Sequence, residues 1–183
     1  MVSEGLNNNT PSWASILGVV AIMLGVFLTA VHGNEAMKQS VIVNNMPASG
    51  VMPEADCPEE ELEEEGISVA ECEYLIDHVK GIALAAPDWF PTAQMTLSAI
   101  GAVLAFLSII IGGALVNYTP WASKAAVTVF GGLAAIDLLQ FAAVVNTGPT
   151  LREVYLGGIL LWFIIHLMLV VGALAGRHTE AEA

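Results

Sequence analysis

Four long apolar blocks alternate with polar breaks along the chain, at about Trp13–His32, Thr92–Val116, Trp121–Asn146 and Leu151–Ala175. Each is close to the ~20 residues a helix needs to cross a ~30 Å hydrocarbon core. The pattern predicts an all-α integral membrane protein with four transmembrane helices. The first block reads as a retained helix: no Lys or Arg precedes Trp13, and the run exceeds the ~7–15 apolar residues of a leader peptide. The expected organisation is a polar N-terminal segment (1–12), spans at 13–32, 92–116, 121–146 and 151–175, a long polar loop (33–91) and a tail (176–183).

Small residues recur inside the spans at spacings that suit close helix packing. They are Gly18, Ala21 and Gly25 in the first helix, Gly131-Gly132 in the third, and Gly172-x-x-x-Gly176 in the fourth. The second helix carries Ser98, Gly101, Ala105, Ser108 and Gly112. Asn117–Trp121 and Asn146–Thr150 are short links, which make the helices on either side antiparallel neighbours. Thr150 and Glu153 have the spacing of a capping box opening the fourth helix.

The loop carries its own pattern. Glu35–Val43 either prolongs the first helix or forms a short helix outside the membrane, and Asn44–Pro53 is rich in turn residues. Pro58 opens a short acidic helix that Gly66 stops. Ser68 and Glu71 form a second capping box, followed by an apolar face at Cys72, Leu75, Ile76 and Val79. A disulfide between Cys57 and Cys72 would staple these pieces into a helical hairpin. It needs an oxidising compartment, which puts loop 1 on the extracytoplasmic side and both termini in the cytoplasm of a bacterial inner membrane or another plasma membrane.

Composition supports the membrane reading. The 183 residues are 56% hydrophobic and 13% charged, against roughly a quarter charged in soluble domains. The net charge of −13 argues against nucleic acid and anionic lipid headgroups as partners, and fits a repulsive or cation-attracting surface.

Asp137 is the sharpest chemical signal, because a carboxylate at mid-span costs at least ~2.5–3.5 kcal/mol to insert. His166 lies near the middle of the fourth span. Both lie in the interior of helices joined by one short turn, so they can pair, with Gln140 one turn from Asp137. They read as a proton relay or cation site, or as polar glue between helices. His32 sits at the end of the first block and is not expected to share a depth with His166, so no haem is expected. No metal, cofactor or catalytic constellation is expected either.

Two functions follow. The first is a non-catalytic accessory subunit of a larger membrane complex, with other integral membrane subunits or further copies of itself as partners and the acidic loop as a docking surface. The second is a small oligomeric proton- or cation-coupled transporter or channel using Asp137 and His166.

Overall fold

The computed structural model describes residues 12–45, 57–58, 62 and 66–181. These form five α-helices: α1 Ser12–Asn45, α2 Val69–Ala85, α3 Phe90–Val116, α4 Ala122–Val145 and α5 Pro149–Ala181. No strand occurs among the described residues. α1, α3, α4 and α5 are long and apolar enough to cross a membrane. The short links make α3, α4 and α5 a continuous up-and-down run, and α1 packs along α3. The C-terminal end of α1, the starts of α3 and α5 and the end of α4 therefore lie together. This end is called the loop end below.

The α1–α3 seam follows from its small residues. A buried stripe on α1 runs through Ala14, Gly18, Ala21, Gly25, Leu28 and His32, alternating by four and three. A matching stripe on α3 runs through Gln94, Ser98, Gly101, Ala105, Ser108, Gly112 and Leu115. That repeat is the signature of a left-handed helix pair. Small side chains let the backbones approach: a Cβ on Gly18 would stand 2.6 Å from the Gly112 carbonyl oxygen, and one on Gly112 would stand 2.7 Å from that of Gly18. Ser108 donates to the Ala105 carbonyl at 2.8 Å and lies 3.3 Å from that of Ala21 across the seam.

The other glycines divide. A Cβ on Gly176 would meet the Trp13 ring at 2.5 Å, one on Gly132 would meet Leu104 at 3.2 Å, and one on Gly172 only touches Leu17 at 3.5 Å. A Cβ on Gly131 would meet nothing within 4 Å among the described residues.

Three local features differ from, or add detail to, the sequence reading. α1 continues unbroken to Asn45, so Glu35–Val43 prolongs the first helix. α5 starts at Pro149, one residue ahead of the expected cap at Thr150, because proline presets the dihedral of a first helical turn. Ser68 precedes α2 and makes the reciprocal bonds of a capping box: its hydroxyl and backbone N–H donate to the Glu71 carboxylate at 2.7 and 2.9 Å, and the Glu71 N–H returns to its hydroxyl at 3.3 Å. These bonds hold the Glu71 carboxyl below its ordinary pKa.

Cys57 and Cys72 pair as a disulfide with a Cα–Cα distance of 6.1 Å. Most of the acidic helix expected after Pro58 lies outside the described residues. Leu75 on α2 is about half exposed, and the Val79 side chain lies outside the description.

Candidate functional site in the loop-end half of the bundle

Two apolar clusters sandwich a polar layer. The larger one, built on Leu28, Phe130, Leu133 and Leu169, fills the bundle away from the loop end. The smaller one, Phe90, Val144, Leu151 and Ile159, packs near the loop end. Between them α1 contributes His32, α3 contributes Gln94 and Ser98, α4 contributes Asp137 and Gln140, and α5 contributes His166, all buried. Buried polar groups in an apolar medium are costly unless paired.

Asp137 and His166 meet. His166 Nδ1 and Asp137 Oδ2 are 2.5 Å apart, and the residues are 0% and 2% exposed. The pair can hold one proton either as imidazolium and carboxylate or as neutral imidazole and carboxylic acid. Trp162, one turn before His166, stacks on the imidazole with ring centroids 6.1 Å apart. His166 Nε2 is buried without a partner. Gln140 points elsewhere, donating from Nε2 to Ser98 Oγ at 3.4 Å.

A cavity of about 260 Å³ between the helices reaches Asp137, though not His166. Asp137, His32, Gln94, Ser98 and Gln140 line its inner part, and Glu35, Lys38 and Tyr155 its outer part. A polar link joins α1 to α5 there: the Tyr155 hydroxyl donates to Glu35 Oε1 at 2.9 Å, and Gln39 Nε2 donates to the same oxygen at 2.9 Å. Gln39 Nε2 also reaches Tyr155 Oη at 3.2 Å.

His32 differs most from its expected placement. Because α1 does not end there, His32 sits well inside the helix and lines the same cavity as Asp137. Its ring lies flat on Gly101, where a Cβ would stand 3.0 Å from three ring atoms. The expected mismatch in depth with the Asp137–His166 pair is not found. Two polar atoms at this cavity have no partner: His32 Nε2 and Gln94 Oε1. Among the described residues no group of three His, Cys, Asp or Glu side chains is placed to hold a metal ion.

Sequence reasoning passed over His32, Gln39 and Gln94 as site residues. A signal was present: His32 and Gln39 continue the seven-residue spacing of Gly18 and Gly25, and Gln94 continues that of Ser108 and Gly101. A polar residue on a packing stripe points inward. Compared with family models, curated proteins and solved structures, the chain has no significant match.

Proposed function

We propose that the protein is a small proton- or cation-coupled membrane transporter whose coupling group is the Asp137–His166 pair. The observation that carries this reading is a buried carboxylate–imidazole pair at 2.5 Å whose carboxylate lines a polar cavity. Ionisable residues inside a membrane are costly and mark ion or proton pathways. Polar glue accounts for the pair, but not for a cavity that reaches Asp137 and has on its walls His32 and Gln94 atoms unpartnered among the described residues. The apolar cluster on the far side of the pair makes this a one-sided approach to a site, suited to alternating access rather than to an open pore.

The accessory-subunit reading keeps one observation of its own. A Cβ on Gly131 or Gly157 would meet nothing within 4 Å among the described residues, which suits close packing by a partner helix. One comparison separates the readings. Purified protein in vesicles should carry a proton flux under an imposed membrane potential, and Asp137→Asn should abolish it while the detergent-extracted assembly keeps its mass. If Asp137→Asn instead releases the chain from a complex with larger subunits, or leaves the flux intact, the transporter reading falls.

A further inference from the structure

We infer that the loop-end cavity is a binding site for a small organic cation bearing N–H donors, of the alkylammonium or guanidinium class. The inference rests on the proposed coupling role of Asp137 and names what occupies the site beside it.

The wall chemistry selects the class. Glu35 and Asp137 place two carboxyl groups on one cavity. Gln94 is 3% exposed and presents an unpartnered Oε1. An unpaired buried acceptor calls for a donor from whatever fills the space. His32 Nε2, also buried and unpartnered, is a second acceptor when the imidazole is neutral and carries its proton on Nδ1. The single Lys among the lining residues, Lys38, is exposed and so stands at the rim. Two carboxyl groups with no inner Lys or Arg disfavour an anion.

The remaining wall selects within the cations. Leu28, Ile159 and Trp162 give the cavity apolar faces, and an indole face attracts a cation with N–H or C–H bearing surface. The volume of about 260 Å³ exceeds what a bare monovalent ion needs. An ammonium or guanidinium head directed at Gln94 and the carboxyl groups, with its carbon part on Trp162, uses both kinds of wall.

The test uses full-length protein in detergent, titrated calorimetrically at neutral pH and constant ionic strength. Methylammonium and guanidinium should give saturable binding, whereas tetramethylammonium, which has the charge and no N–H donor, should not. Gln94→Leu should weaken both by about tenfold, the effect of removing one charge-assisted hydrogen bond, and Gln94→Glu, which adds a carboxylate, should tighten them. Equal binding of tetramethylammonium, unchanged binding in Gln94→Leu, or no saturable binding at all overturns the inference. An infrared pH titration of the Asp137 carboxyl on the same samples separates the two proposals. A titrating Asp137 in protein that binds no amine removes the cation site and leaves the coupling role, whereas a carboxyl that never changes state removes both.

Discussion

A glycine in a membrane helix matters through what stands opposite it. Gly112 faces the Gly18 carbonyl at a distance that leaves no room for a methyl group, and the obstacle is backbone, which cannot rotate away. A Cβ on Gly131 would face nothing within 4 Å among the described residues. Gly112→Ala should therefore destabilise the bundle by ~1–3 kcal/mol, the usual cost of overpacking, with a matching drop in detergent melting temperature. Gly131→Ala should leave the melting temperature of the isolated chain unchanged or slightly raised, since alanine is the better helix former. Equal losses at both positions would mean that the α1–α3 seam is not the tight contact described. Both residues looked alike in sequence, each a glycine in an apolar span. They part only when the alternating three- and four-residue steps of the whole helix are counted, because Gly112 lies on the stripe with Ser98, Gly101, Ala105 and Ser108 and Gly131 lies on no such stripe.

At the scale of the element, local signals were legible where a few neighbouring residues decide the outcome. Ser68 and Glu71 specify the start of α2 through bonds within one turn. The pH dependence follows from the lowered Glu71 pKa. Above the ordinary carboxylate value of about 4.3 the cap contributes in full, and its contribution is lost as pH falls through the lowered folded-state value. Hydrogen-exchange protection of the first turn of α2, corrected for intrinsic rates, should hold through mildly acidic pH and fall below it. Glu71→Gln, which can still accept the bond in neutral form, should flatten that dependence; an unchanged acid transition would assign it to another group. Where α1 ends was not legible in this way. Glu35, Lys38 and Gln39 look like the start of a polar loop, yet Glu35 and Gln39 are four residues apart on one helical face and are satisfied by Tyr155, 116 residues further on from Gln39. The partner that makes a long helix affordable there belongs to another element. The same shortfall hid the cavity: Asp137 and His166 lie on helices that share a turn and could be paired from it, whereas His32 and Gln94 reach the site only through the α1–α3 pairing.

At the scale of the whole molecule, the polar half of the bundle gives the protein a direction. The polar groups lining the cavity belong to the half nearer the loop end, and the Phe130, Leu133 and Leu169 cluster fills the other half. On the transporter proposal, the side of the membrane that the loop end faces is the side from which a proton or cation would reach Asp137. The disulfide between Cys57 and Cys72 ties that end to an oxidising compartment, so we expect it to be extracytoplasmic. Exposed residues at the two ends make this measurable. Arg152 lies in the first turns of α5 at the loop end, and Lys124 lies in the first turn of α4 at the opposite end. In a cysteine-free background carrying Cys57→Ser and Cys72→Ser, Arg152→Cys should react with a membrane-impermeant maleimide in intact cells. Lys124→Cys should react only after lysis. The reverse pattern would turn the cavity toward the cytoplasm and leave Cys57 and Cys72 in a reducing medium. The acidic segment would then meet the cytosolic pool of cations, and the Asp137 site would be loaded from within. With the expected pattern, the transporter proposal has the cation enter from outside, past Glu35 and Tyr155 toward Asp137.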